Sequence, residues 1–398
     1  MISRWVVLLR RWSRILWVRV ALISLGSLLA LAVAPLLSFI VPEEMQYRFG
    51  REAILPVLTI LASGMLAVTT FSLNVMVSAY RTASSTATPR VYRLLLEDTV
   101  TQSVLATFVG GFVFSLIAVI LFHAELYTPQ AAVAVFVITL VVVALIVIAI
   151  LRWIDHLSSL GSMDHTLRLI EARTRAVLKE RASLPCLGGG CVSDDSVMPA
   201  DVGEVLARKS GFIRFIDMAR LNEKAAREEA LVYVTRSPGE YVLRGQPLAQ
   251  STSRDEEFCA SAARCFEIGD VRSFDQDASF GLTLLAETAQ RALSPGVNDP
   301  GTAIEVIGRL ERLLWEDVPD GFDRVDDADA RFTRVFLAPD TAGTLLERAL
   351  VPIARDGADD PDVMGRLNAA LGNLCEHPSD SMSDAARRQI EACQPNAG

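Results

Sequence analysis

Charge is scarce in this sequence. Asp, Glu, Lys and Arg make up 21% of its 398 residues and apolar residues 51%, where a soluble domain carries about 25% charge. With a mean hydropathy of +0.34, the chain is too apolar to be intrinsically disordered. Histidine is scarcer still, at four residues. His156 and His165 lie nine positions apart, about two and a half helical turns, so one continuous helix would point them to opposite faces. They are poor candidates for a shared metal. Cysteine is missing from residues 1–160, and the spacings of five and six within Cys186/Cys191 and Cys259/Cys265 do not match the close pairs of zinc ribbons or fingers. Gly188-Gly189-Gly190 has no strand before it and no Lys-Ser/Thr after it, which excludes a phosphate loop. No Gly-x-Ser-x-Gly elbow is present. No catalytic constellation assembles, and no cofactor or metal is expected.

What is present is unevenly distributed. Residues 1–160 hold 11 Lys/Arg against 7 Asp/Glu, a net +4, and residues 161–398 hold 27 against 40, a net −13. Nucleic acid is a poor partner for so acidic a second half, because phosphate binding needs a basic face. Four stretches of the first half reach the roughly 20 apolar residues a bilayer-spanning helix needs: 21–41, 53–80, 104–122 and 131–151. The lipid bilayer is therefore an expected partner, and residues 1–155 a transmembrane domain. Basic residues flank these stretches unequally. Arg4, Arg10, Arg11, Arg14 and Arg19 precede the first, Arg81, Arg90 and Arg93 follow the second, and Arg152, Arg168, Arg173 and Arg175 follow the fourth. The loop 123–130 has no Lys or Arg, and the acids Glu43, Glu44 and Glu52 offset Arg48 and Arg51. Both termini are expected in the cytoplasm. That reducing compartment argues against structural disulfides, so all six cysteines are read as free thiols. The Arg/Trp-rich N-terminal arm is expected along the inner surface.

The second stretch carries a polar line. Thr59, Ser63, Ala67, Thr70, Asn74, Ser78 and Arg81 follow at intervals of 4, 4, 3, 4, 4 and 3, which draws one stripe down a helix. Two readings stay open. The stripe packs a neighbouring helix, since small residues let backbones approach and hydroxyls bond across, or it faces water in a pore or substrate path. The third stretch, with Ser103, Thr107, Gly110, Gly111, Phe114 and Ala118 on one side, is its expected packing partner, and the Val/Ile/Leu-rich fourth reads as a lipid-facing wall.

The remainder reads as a cytoplasmic α+β region with a helical C-terminal part. A helical stalk that continues the fourth stretch, then a flexible Gly-rich loop, fill 156–202. A small β-containing domain covers 203–272, with a hairpin or barrel piece formed by Leu231–Val234 and Tyr241–Leu243. Residues 273–398 read as α-helical, with helices at 280–292, from Pro300 to Leu314, and at 341–355, 361–375 and 383–393, and a solvated acidic linker at Asp317–Asp329. Arg291, Ser294, Asn298, Asp299 and Thr302 fall at a helix–turn–helix junction. They read either as the residues that build the turn or as a site for a small anionic ligand at a helix N-terminus.

Several of these strings resemble a bacterial predicted-membrane-protein family, domain of unknown function 2254. They are Phe71-Ser72-Leu73-Asn74, Ala83-Ser84-Ser85, Thr88-Pro89-Arg90, Asp277-Ala-Ser-Phe280-Gly281-Leu282 and Arg291-Ala-Leu-Ser294-Pro295-Gly296-Val-Asn298-Asp299-Pro300-Gly-Thr302-Ala303. The resemblance covers nearly the whole chain, departs at Gly301 and Asn74, and implies placement and architecture but no activity. The expectation is a homo-oligomeric, multi-pass protein of the bacterial inner membrane that acts as a channel or transporter for an ion or small anionic ligand, with a cytoplasmic gating or sensing domain. The alternative is a membrane-anchored scaffold or sensor without a pore that binds a cytoplasmic partner.

Overall fold

A computed structural model describes residues 16–37, 51–96, 98–192, 201–322 and 330–393. The chain divides into two compact units, one of Met1–Ser85 and Pro89–His165, the other of Thr86–Thr88 and Thr166–Gly398. The first unit holds four helices long and apolar enough to cross a membrane: α1 (Leu16–Leu37), α2 (Arg51–Thr86), α4 (Thr99–His123) and α5 (Pro129–Ser159), with the short α3 (Val91–Leu96) between the second and third. α1 continues through Pro35. The N-terminal arm and residues 38–50 lie outside the described residues.

Helices α1, α4 and α5 pack on one another. The two glycines of α4 make this close approach possible, although not in the expected direction. A Cβ at Gly110 would meet Ile23 of α1 at 2.4 Å, and one at Gly111 would meet Ile146 of α5 at 2.9 Å before reaching Met65 of α2 at 3.6 Å. The small-residue side of α4 therefore receives the first and fourth apolar helices more tightly than the second. α2 contributes Ile54 and Leu58 to a core shared with Leu31, Phe114, Phe122 and Val135. Outward-facing Val137, Leu140, Val141, Leu145, Ile148 and Leu151 give α5 its apolar wall.

The fourth apolar helix does not run on into a stalk. It ends at Ser159 and α6 (Met163–Ser183) begins after a break at Leu160–Ser162. Gly161 takes φ +83° there, with the position of its absent Cβ 3.2 Å from the Ala79 carbonyl oxygen. A side chain would suffer both the left-handed backbone and the contact.

The second unit is mixed helix and sheet. Its strands are β1 (Gly189–Cys191), β2 (Gly203–Leu206), β3 (Gly211–Ile216), β4 (Val232–Val234), β5 (Tyr241–Val242), β6 (Pro247–Ser251), β7 (Phe266–Gly269) and β8 (Phe332–Leu337). They form a sheet of order β1-β8-β4-β6-β2 and another of order β5-β3-β7. The two runs expected as a hairpin, β4 and β5, thus belong to different sheets. β8 lies within the stretch expected to be helical and pairs in parallel with both β1 and β4. α7 (Met218–Arg227) and α8 (Glu256–Ala263) pack beside the sheets, and Val205, Ile213, Leu221, Val232, Leu248, Ala262 and Val335 fill the core. The Gly-rich loop is ordered where it is described. Cys186 and Leu187 adopt φ of +48° and +55°, and the turn brings Cys186 and Cys191 into a disulfide with Cα atoms 5.7 Å apart. That separation suits a disulfide, so the free-thiol reading fails for this pair.

Helices α9 (Ala278–Leu293), α10 (Pro300–Asp317), α11 (Ala342–Asp356), α12 (Pro361–Leu374) and α13 (Asp380–Cys393) complete the unit. Their starts carry the caps expected of Asp and Thr before a helix: Thr341 accepts from Thr344 N at 3.1 Å, and Asp360 accepts from Val363 N at 3.0 Å with Pro361 following. Asp317, expected in a solvated linker, is instead the last residue of α10 with its side chain fully buried, 3.0 Å from Arg175. The rest of that linker from residue 323 to 329 lies outside the described residues.

The Asp277–Leu282 string sits where α6 and α9 meet. Arg272 donates to both carboxylate oxygens of Asp277, at 2.8 and 3.0 Å, and lies over the Phe280 ring. One turn on, Gly281 faces Thr174 of α6 so closely that a Cβ would stand 1.8 Å from its Oγ1. Gly281→Ala should therefore destabilise the protein by about 1–3 kcal/mol, read as a lower apparent Tm. Adding Thr174→Ala should restore part of the loss. Independent, additive effects of the two changes would contradict this packing.

Candidate functional site

The polar residues of α2 are brought into line, and the whole line is exposed. Thr59, Ser63, Ala67, Thr70, Asn74, Ser78 and Arg81 all face outward, whereas Ile54, Leu58, Met65, Ser72, Met76 and Tyr80 occupy the buried side. No neighbouring helix among the described residues covers the stripe. Apolar side chains flank it, with Ile60, Leu66, Phe71 and Leu73 all exposed.

The members of the line differ in how their polar groups are satisfied. Thr59 donates to the Leu55 carbonyl at 2.9 Å, Ser63 to Thr59 at 3.0 Å and Thr70 to Leu66 at 3.0 Å. These are hydroxyls bonded to the preceding turn of their own helix. Asn74 has two donors and an acceptor on its amide and no hydrogen-bond partner among the described residues; the side chains of Ser78 and Arg81 likewise have none. Self-satisfaction thus covers the first half of the stripe and stops at Asn74.

The second set of candidates, at the α9–α10 junction, forms a hydrogen-bonded turn. Ser294 donates to the Arg291 carbonyl at 2.6 Å, and Asn298, at φ +51°, donates its N–H to the Ser294 carbonyl at 2.9 Å. Asp299 accepts from Thr302 N at 3.1 Å and from the Thr302 hydroxyl at 2.5 Å. These hydrogen bonds hold the Asp299 carboxyl below its ordinary value. The carboxylate itself occupies the donor-rich start of α10, where an added anion would meet it. Arg291, Asn298 and Asp299 are exposed.

A third cluster escaped the sequence reading. Asp98 caps α4 through Val100 N and Thr101 N, at 3.1 and 3.2 Å, and its Oδ2 stands 2.6 Å from His156 Nε2 near the end of α5. The Thr101 hydroxyl also donates to Asp98 and lies 3.1 Å from His156 Nε2. The break after α5 brings the His165 ring edge-on to His156, with centroids 5.6 Å apart, so the two histidines do not point to opposite faces. Burial pushes the Asp98 carboxyl up, but the hydrogen bonds from His156 and Thr101 outweigh it and hold the group at about 2. The signals were an Asp directly before a helix start and an Asp-His pair at a helix end, and neither by itself points to the other.

A carboxyl with a depressed folded value adds stability above its unfolded value, and loses it as pH falls. Asp98→Asn, which keeps a capping oxygen, should lower stability at pH 7 by about 1–2 kcal/mol through loss of the charged hydrogen bond. Asp98→Ala should cost about 1 kcal/mol more through loss of the cap. The difference in thermal unfolding between the parent protein and the Asp98→Asn variant should close as pH falls from 3.8 to about 2. A pH-independent difference would contradict the hydrogen bonds to a charged Asp98 carboxylate.

The family model described as predicted membrane protein DUF2254 matches residues 13–373. An uncharacterised protein of Mycobacterium bovis and one of Mycobacterium tuberculosis are each 26% identical over 375 residues, covering 90% of this chain and 71% of the relative. No solved structure matches the chain.

Proposed function

We propose that this chain, which belongs to the DUF2254 family of predicted membrane proteins, works as a homo-oligomer of the bacterial inner membrane in which the polar face of α2 lines a path for an ion or small anion. The observation that carries this reading is the exposed polar run Asn74, Ser78 and Arg81, whose side chains have no partner among the described residues, on a helix otherwise apolar enough to span a bilayer. An amide without a partner in hydrocarbon costs several kcal/mol. Water or a second copy of the chain removes that cost, and lipid does not. Arg81 sets a fixed positive charge at the end of the line, which favours an anion. The basic flanks of α1, α2 and α5 support an orientation with both termini in the cytoplasm, and the second unit would then gate or sense from that side.

The competing reading is a pore-less scaffold, in which copies only pack through this face. Flux through the purified protein in liposomes separates the two. Asn74→Leu should reduce anion flux by about tenfold, the loss expected for one hydrogen bond withdrawn from the permeating species, and Thr70→Leu should reduce it less, because Thr70 already bonds its own helix. Flux unchanged in both variants, or absent from the parent protein, contradicts the path.

A further inference from the structure

The second unit carries a feature that the α2 path neither needs nor explains. Residues 161–398 hold 27 Lys/Arg against 40 Asp/Glu, and many of the described cations there sit in ion pairs. Arg227 holds Glu223, Arg236 holds Glu240, Arg309 and Arg312 hold Glu171, and Arg366 holds Glu311. Four cations around two adjoining depressions do not. Arg208, Lys209, Arg244 and Arg264 are exposed and have no ion-pair partner among the described residues.

Three of these guanidinium groups line one cleft of about 540 Å³, with Glu204 and Glu256 also on its walls and Ala207, Cys259 and Ala263 on its floor. A second depression of about 290 Å³ shares Arg208 and Ala263 with it and adds Lys209. Four positive charges thus meet two negative ones in a region whose overall balance is acidic. The volume falls in the range of small-molecule sites.

The cations stand on backbone that is already fixed. β2 ends at Leu206, and Ala207 N donates to the Gln246 carbonyl at 2.8 Å while Gly245 N donates to the Ala207 carbonyl at 2.8 Å. Arg244 N donates to Ser210 Oγ at 3.0 Å. The turn needs Gly245, at φ +86°. Arg208 and Arg244 therefore project from two turns tied to each other, and Arg264 stands at the C-terminus of α8, which is itself anchored at its start by Asp255 accepting from Phe258 N at 2.7 Å. Burial raises the Cys259 thiol above its ordinary value, so the floor is a neutral thiol and adds no negative charge.

We propose that this cleft binds a small phosphorylated ligand, with Arg208, Arg244 and Arg264 holding the phosphoryl oxygens and Glu204 and Glu256 accepting from hydroxyl or amino groups on the ligand body. Guanidinium forks match phosphate oxygens two at a time, which fixed turns make more selective than mobile ammonium groups would. The two carboxylates make bare polyanions poorer fits than a phosphate ester that carries donors. The site stands independently of the proposed path.

The test is calorimetric titration of the full chain in phosphatidylcholine nanodiscs with inorganic pyrophosphate and with ADP. Both should bind saturably, with affinity that falls as salt rises. Arg244→Glu and Arg264→Glu should each weaken binding at least about tenfold, and Arg244→Gln, a milder change at an exposed turn, should weaken it in the same direction with an unchanged Tm. Arg387→Glu, on α13 and away from the cleft, should leave binding as it was. Repeating the titration in nanodiscs that contain anionic phosphatidylglycerol identifies the source of the phosphate. Competition there assigns the cleft to lipid headgroups, and its absence assigns it to a free metabolite. No saturable binding, or equal weakening by Arg387→Glu, would overturn the site.

Discussion

A polar group placed in hydrocarbon must find a partner, and the first unit is arranged around that constraint. Several of its hydroxyls meet it locally, although the buried Ser72 and Ser115 hydroxyls have no hydrogen-bond partner among the described residues. Thr59, Ser63 and Thr70 on α2, Thr107 on α4 and Thr139 on α5 all donate to a carbonyl one turn back. This device works for a hydroxyl, which has one donor on a short arm. It does not serve an amide or a guanidinium. Asn74 and Arg81 therefore set a demand that their own helix cannot meet, and the exposed Ile60, Leu66, Phe71 and Leu73 beside them mark where an apolar surround resumes. A polar line bordered by exposed apolar side chains is the face that the proposed path would use, with lipid against its flanks.

The second unit meets the corresponding demand for buried charge by pairing it. Glu171 of α6 takes Arg309 at 2.9 Å and Arg312 of α10 as well, and Arg175 lies 3.4 Å from it. Burial pushes Glu171 up, yet the hydrogen bonds and charges of Arg312 and Arg309 prevail and hold it below the ordinary carboxylate value. Asp277 with Arg272, and Arg181 with Asp340 at 2.8 Å, are paired too, although burial still outweighs Arg272 and raises the Asp277 carboxyl above its ordinary value. Such pairs contribute little net stability over apolar contacts but penalise any other alignment, because a slipped helix would leave a buried charge alone. The Glu171 pairs set how α6 lies on α10, and Thr174 against Gly281 sets how closely α6 approaches α9.

How much of this was legible depends on whether the governing contact is local. The four apolar helices follow from run length, and the start of α10 from Asp299 and Pro300, since a cap acts within four residues. The polar stripe was visible from its intervals, but the sequence has no signal for whether a sister helix covers it; the sides of α4 taken as its partner are filled by Ile23 and Ile146 instead. β8 was missed because its partners are non-local parallel strands. The Cys186–Cys191 bridge was missed because the expected reducing compartment argued against any disulfide and because the turn that forms it depends on two left-handed residues that no propensity favours. The Asp98–His156 pair joins two helix ends far apart in the chain, and the cation cleft gathers residues from a strand end, a turn and a helix terminus.

In the proposed assembly, another copy of the chain, or the water enclosed by several copies, completes the face of α2. The native mass of the protein in a lipid nanodisc decides whether it does. A closed ring of about four or more copies, the kind of cyclic assembly that encloses an axis, is the result this account predicts. A monomer or a dimer would leave too few copies of α2 to surround a path, and would contradict it.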